Sequence, residues 1–319
     1  MNGNLFVVIA AAAVYYGTPL FFAALGELVT ERGGVLNLGV EGMMLLGAVA
    51  AAVTCVNVSG PRWWVLTVSL LAAMGAGALG ALLHAVAVIT LRVNQTVSGL
   101  ALTILAGGSG LSSYIANVTD VAASPVPHQF VKLDVGGLAD MAVLGPIVFG
   151  QNLLTYGSWL VAVFVSWYLF RTRAGLHLRA VGESPETADA AGINVVRTRY
   201  AHTLAGGALA GVGGAFFSLS IVPTWVDGMT SGRGWIAVAL VIFGFWRPGL
   251  TLAGAYLFGA FASLSLTLQA RGVKVAPQFL DSLPYVMTIV VLVVVSSGRA
   301  RRRMGAPAAL GIAYEREER

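Results

Sequence analysis

Side chains capable of catalysis are few in this sequence and do not cluster. The histidines, His84, His128, His177 and His202, form no His-Glu-x-x-His pair and no other pair at metal-ligand spacing. The single cysteine, Cys55, lies in an apolar run and has no partner for an internal disulfide, so it reads as a small core residue. The stretch GGSGLSS, 107–113, has the outline of a nucleophile turn. Leu111 stands where that turn needs its second glycine, which leaves Ser109 as a packing residue. No Gly-Lys-Ser/Thr occurs, and the lysines are Lys132 and Lys274, so no P-loop of this chain can hold a nucleoside triphosphate. An enzymatic reading would reopen only if His84 stood beside a second catalytic-type group.

Polar groups inside apolar sequence carry more information. ERGGVLNLGVEG, 31–42, interrupts the first apolar region with glycines, Asn37 and Glu41. LRVNQTVSG, 91–99, does the same with Asn94, Gln95 and Ser98, and SGRGW, 231–235, places Trp235 at the start of a short apolar run. Charge in a bilayer is costly and faces a cavity or a protein partner. Irregular backbone there must line a cavity or be buried. Glu41 therefore reads as lining a pathway or as one half of a buried structural pair, ahead of an interfacial loop charge. Glu27 and Glu31 read as membrane-surface charges. The Gly-interrupted segments 33–48 and 232–244 match each other loosely, a weak hint of the paired broken helices that flank transport paths.

The elements that must hold these groups are membrane spans. The chain has 319 residues, 57% hydrophobic and 10% charged, with a mean hydropathy of +0.81; soluble domains average roughly 25% charged residues. Apolar segments run over about 5–25, 41–56, 63–91, 97–115, 146–170, 200–222, 235–245, 250–268 and 283–297. The expected fold is all-α, a polytopic transmembrane bundle of about 8–10 spans. The segment at 235–245 is too short to cross straight and that at 41–56 is marginal, so both are candidates for broken or re-entrant elements. The domain reading is one membrane domain, 1–303, followed by a polar tail, 304–319. MNGN lacks a basic leader, so the first run reads as a retained span.

Charge sets the orientation. With 171–199 on the cytoplasmic side, Arg32, Arg92, Arg247 and the tail arginines Arg299, Arg301, Arg302, Arg303, Arg316 and Arg319 fall on that side too. Arg62, Lys132, Arg233, Arg271 and Lys274 fall opposite. The sequence pI near 9.6 does not imply nucleic acid, because the basic residues sit in loops and tail without interleaved aromatics.

The polar segment RTRAGLHLRAVGESPETADAAGINVVRTR, 171–199, carries helix punctuation that a plain connector would not need. Ser184 suits an N-cap, Pro185 the first helical position, and Glu186 the positive end of the helix dipole. Gly192 can adopt the left-handed stop. A helix this short needs a support. It must pack on its own bundle or dock into a partner. Glycines in 75–81, 206–214 and 253–260 mark small-residue faces, with Gly207 and Gly211 spaced for close helix approach.

With these motifs assembled, the chain resembles the integral membrane permeases of bacterial ABC importers, the branch serving nucleosides, simple sugars and branched-chain amino acids. It is most similar to nucleoside-type permeases that work with a basic membrane lipoprotein. The likeness rests on ERGGVLNLGVEGMMLLGA (31–48), NQTVSGLALTIL (94–105), LRAVGESPETADAAGI (178–193) with GGALAGVGGA (206–215), GRGWIAVALVIFG (232–244) and LPYVMTIVVLV (283–293).

The resemblance implies that Glu183, Ser184, Pro185, Glu186, Ala188, Asp189, Gly192 and Ile193 belong to a coupling helix seated in a groove of a cytoplasmic ATPase. It implies a second related permease, identical or different, and an extracytoplasmic substrate-binding lipoprotein. ATP and Mg would be bound by the ATPase, leaving this chain without a cofactor, in a bacterial plasma membrane with its C-terminus cytoplasmic. Asn37, Glu41, Asn94, Gln95 and Ser98 would border the path, and Trp235 could stack on a nucleobase. The competing reading is an ion-coupled secondary transporter using Glu41.

Overall fold

The computed structural model of the protein describes residues 5–107, 110–122, 124–133, 135–270, 272, 276–296 and 305–315. Lys274, Arg271, Ser109, Arg299, Arg301, Arg302, Arg303, Arg316 and Arg319 lie outside them. Among the described residues the regular elements are helices: α1 (Leu5–Arg32), α2 (Val40–Asn57), α3 (Arg62–Ala85), α4 (Gln95–Ala106), α5 (Leu111–Val118), α6 (Leu153–Arg171), α7 (Arg173–Glu183), α8 (Pro185–Ala190), α9 (Val195–Phe216), α10 (Arg233–Phe243), α11 (Pro248–Ala270) and α12 (Pro277–Ser296). Wide π-type turns extend α3 over Val86–Thr90 and α9 over Phe217–Ile221. Helices close their own main-chain hydrogen bonds, which is what a hydrocarbon surrounding demands.

Seven stretches among the described residues are long and apolar enough to cross a membrane: Leu5–Arg32, Val40–Asn57, Arg62–Thr90, Gln95–Val118, Leu153–Arg171, Val195–Ile221 and Pro248–Gln269. α12 is a further apolar helix of 20 residues. The short segment expected at 235–245 is α10, 11 residues long. The marginal 41–56 segment is instead a continuous helix of 18 residues.

Helix starts are set by side chains that take up otherwise unpaired main-chain N–H groups. Asn94 caps Val97, Asn152 caps Thr155, Thr172 caps Gly175 and Asn194 caps Arg197, at 2.8–3.0 Å. Ser184 does the same for Thr187 at 3.4 Å.

The centre of the bundle is made by α1, α2 and α9, with α3 and α11 outside them. The second half of α1, from Gly17 to Arg32, is buried throughout. Close approach needs glycine on several faces of α9. Gly206 meets Gly26 of α1, Gly207 and Gly211 meet Gly77 of α3, and Gly214 meets the Met44 carbonyl of α2. At each contact a Cβ would overlap main-chain atoms, so the helices touch backbone to backbone. The two stretches 75–81 and 206–214 are thus the two sides of one seam. Cys55 is buried, its thiol directed at the His128 carbonyl, in keeping with a small core residue.

One end of the bundle gathers the turn between α1 and α2, α7, α8, Arg247 and the segment 305–315. Arg32 donates to the carbonyls of Trp246 (2.8 Å) and Gly305 (3.1 Å). At the other end, Ala122 and residues 124–130 run beside 219–225, where Val126 N–H meets Pro223 and Phe130 N–H meets Leu219.

Candidate functional site

Two helices begin side by side inside the bundle. Glu41, in the first turn of α2, directs its carboxylate at the start of α10. It accepts the Thr230 hydroxyl at 2.6 Å and the main-chain N–H groups of Gly232 at 2.7 Å and Gly234 at 2.6 Å. Gly232 takes a left-handed conformation (φ 78°), which turns these N–H groups towards one point. A Cβ at Gly234 would overlap the Glu41 main chain, so glycine is required for the carboxylate to come this close. The arrangement is a charged cap on the positive end of a helix. Glu41 is buried, with its carboxyl group held by the start of α10.

Asn37 sits in the turn before α2. Its side-chain oxygen accepts Gly39 N–H at 2.9 Å, while its own main-chain N–H donates to Glu27 at 2.9 Å. Glu31 accepts the Trp246 indole N–H at 2.5 Å. Glu27 and Glu31 are each only 1% exposed. The expectation of membrane-surface charges is therefore wrong for both. They hold the turn at 33–39 and the α10–α11 connection, where Phe245 and Trp246 adopt positive φ, 51° and 53°. Nothing local in the sequence distinguishes an acid one turn from a helix end that faces lipid headgroups from one that faces a neighbouring loop.

The 91–99 segment supplies a second buried knot. Gln95 accepts Leu36 N–H at 2.6 Å, and His84 bridges the Ser98 hydroxyl and the Leu36 carbonyl, both at 3.0 Å. Ser98 therefore stands beside His84, the juxtaposition that would reopen an enzymatic reading. With the Leu36 carbonyl accepting from Nε2, Nδ1 is left as the acceptor of the Ser98 hydroxyl. A main-chain carbonyl rather than a carboxylate stands behind the ring. The pair ties α3 and α4 to the α1–α2 turn. Asn94 is exposed and serves as the cap of α4.

A cavity of about 450 Å³ opens between α1, the end of α9, α10, α11 and α12. Its walls include Tyr16, Phe217, Phe258 and Tyr285, with Ser231 and Arg233 as polar groups. The Arg233 guanidinium lies 5.1 Å from the centre of the Phe217 ring and donates to the carbonyls of Met229 and Thr230. Tyr285 donates to the Ser231 carbonyl at 2.6 Å. Arg233, expected from the sequence among the loop charges of the opposite side, stands half-buried at this cavity. Trp235 is 48% exposed, one helix position beyond the charged cap. Sequence reasoning missed Tyr16, Phe217 and Phe258, since an aromatic in an apolar run carries no mark of the wall it joins.

In the polar loop, the expected helix is α8, with Ser184 as cap, Pro185 in the first turn and Gly192 left-handed at φ 84°. Pro185 and Ala188 are buried, Ile193 is half-buried, and Glu183 and Glu186 are exposed. Asp189 is half-buried. The support for this short helix comes partly from its own chain: Val181, Ala188 and Val195 pack together with Ile193 and Tyr314.

Among the described residues, seven helical stretches long and apolar enough to cross a bilayer, packed through glycine seams, are those of a multi-pass membrane protein. Residues 9–295 match the family described as branched-chain amino acid transport system permease components, and the chain belongs to that family. It is 36% identical to a guanosine ABC transporter permease of Bacillus subtilis, over 98% of both chains. It is 38% identical to a nucleoside ABC transporter permease of Lactococcus lactis, over 91% of this chain and 92% of that one. A Haloferax volcanii protein provisionally named a glucose ABC transporter permease is 37% identical, over 96% of this chain and 97% of its own. No solved structure matches the chain.

Proposed function

We propose that this permease carries nucleosides, that a separate ATPase drives it through α8, and that a substrate-binding lipoprotein delivers the solute from outside. Two of the similar relatives are named for guanosine and nucleosides, and the 450 Å³ cavity has the size of a small-molecule site. Its walls include aromatic rings and one guanidinium, groups of the kind on which a flat base can stack. A second related permease, the same or different, completes the membrane unit, and ATP and Mg belong to the ATPase. The C-terminus lies on the cytoplasmic side with α8, since Arg32, Arg92 and Arg247 gather at that end.

The observation that carries the reading is α8 itself, a capped two-turn helix at one end of the bundle. It buries Pro185 and Ala188 against its own chain and turns Glu186 and Thr187 outwards. In this reading Glu183, Glu186, Asp189 and Gly192 face the ATPase. Asn37, Glu41, Gln95 and Ser98 shape the walls of the path from within, Asn94 fixes the start of one wall, and Trp235 and the cavity aromatics meet the solute.

The ion-coupled alternative is not favoured, because the Glu41 carboxylate is occupied by three donors at 2.6–2.7 Å. The test is uptake into proteoliposomes holding the complete transporter with its lipoprotein. We expect uptake of guanosine or uridine that requires ATP. Uptake of leucine or glucose in preference to nucleosides would overturn the substrate, and uptake by this chain alone under an ion gradient would overturn the mechanism.

A further inference from the structure

The tail that the sequence presents as a polar appendage is a docked strap. Residues 305–315 cross the end of the bundle and bond to the end of α1, the α1–α2 turn, the end of α7 and the start of α9. The Ala309 N–H donates to the Gly182 carbonyl at the end of α7 (2.9 Å), and the Gly311 N–H donates to the Gly34 carbonyl in the α1–α2 turn (3.2 Å). Arg199, 2% exposed at the start of α9, donates to Gly33 with Nε (3.1 Å) and to Ile312 with Nη1 (3.2 Å). Arg32 holds the beginning of the strap through Gly305 (3.1 Å). Tyr314 packs on the cluster of Val181, Ala188 and Val195, which includes the buried face of α8. Gly182 lies against the Arg32 carbonyl, so α7 and the end of α1 also touch directly.

Without the strap, α7 and α8 form a side excursion between α6 and α9, entered at Thr172 and left at Asn194. Their own packing reaches the α1–α2 turn through Leu178, which lies against Gly33. With it, the outer loop and the turn share main-chain hydrogen bonds and a buried guanidinium.

We infer that segment 305–315 locks α7, α8 and the 33–39 turn into one mechanical unit, with Arg199 and Tyr314 as positioning residues. A displacement of α8 then reaches Asn37 and the start of α2, and through Glu41 it reaches the start of α10. Coupling of this kind travels through packed elements that move together. The inference rests on α8 being the ATPase contact.

The experiment uses the complete transporter in proteoliposomes and compares a chain ending at Met304, Tyr314→Ala, Ala188→Pro and Glu315→Ala. The readouts are ATP hydrolysed per nucleoside taken up and co-purification of the ATPase. Glu315→Ala removes the exposed pair with Arg92 (3.0 Å) and should leave the ratio unchanged. The truncation and Tyr314→Ala should raise the ratio several-fold while the ATPase still co-purifies. If the truncated chain fails to accumulate, Tyr314→Ala alone decides. An unchanged ratio in the truncated chain and in Tyr314→Ala overturns the inference. Loss of the ATPase from them does so too, since the strap would then be a docking surface. If Ala188→Pro leaves the ratio unchanged, the reading of α8 has failed. If Ala188→Pro raises it and the strap variants do not, only the strap has failed.

Discussion

Glu41 accepts the main-chain N–H of Gly234 at 2.6 Å, so the start of α2 provides the cap for the start of α10. The N–H groups of a helix start need partners, and in a dry interior a carboxylate is the strongest available. This contact ties α10, with 11 residues, to the start of α2. Glu41→Gln replaces one acceptor oxygen with a donor facing other donors. We expect the purified protein to lose about 2 kcal/mol or more of stability, read as a lower thermal midpoint, together with loss of transport. An ion-coupling role alone would leave the midpoint in place.

The glycine seam makes a prediction within one short motif. A Cβ at Gly77 would strike the Gly207 carbonyl, whereas one at Gly75 meets nothing within 4 Å. Gly77→Ala should reduce folded permease in the membrane, because backbone on both sides leaves no side chain to yield. Gly75→Ala should express at the level of the parent. Equal expression of the two variants would contradict the packing described here.

Tyr16 is half-buried on the cavity wall. If a base stacks there, Tyr16→Ala removes a contact worth about 1–3 kcal/mol. We expect the KM for nucleoside uptake to rise about fivefold or more, with ATPase association unchanged. An unaltered KM would place the solute elsewhere.

Ser184 and Gly192 delimit α8 by independent means. Ser184→Ala removes the cap at a cost of about 1 kcal/mol, and Gly192→Ala forces a side chain into the left-handed region at about 1–2 kcal/mol. Hydrogen exchange over 185–191 should quicken in both variants while α9 stays protected. Unchanged exchange would mean that packing from Val181 and Val195 alone sets the helix.

How far the sequence reveals such a molecule depends on the kind of signal. Apolar runs showed the spans, because a bilayer accepts little else. The cap-proline-glycine pattern showed α8 to within a residue, because those positions answer to local backbone chemistry. Glu41, Asn37 and Gln95 were legible as out of place, but their partners were not. Thr230 and Gly232 are nearly two hundred residues from Glu41, and no periodicity links them. Glu27 and Glu31 were misplaced for the same reason, since Asn37 and Trp246 become their neighbours only after the chain folds back. The strap was the least visible, because Ala309 and Gly311 bond through main-chain atoms that every residue possesses.

The most direct test of the account is the Ala188→Pro chain in the reconstituted transporter. The Ala188 N–H donates to the Ser184 carbonyl at 3.0 Å. Proline removes that bond and crowds the preceding turn, while the spans are untouched. The account predicts normal insertion and continued ATP hydrolysis with nucleoside uptake lost or sharply reduced. Parental uptake per ATP in this variant would contradict it.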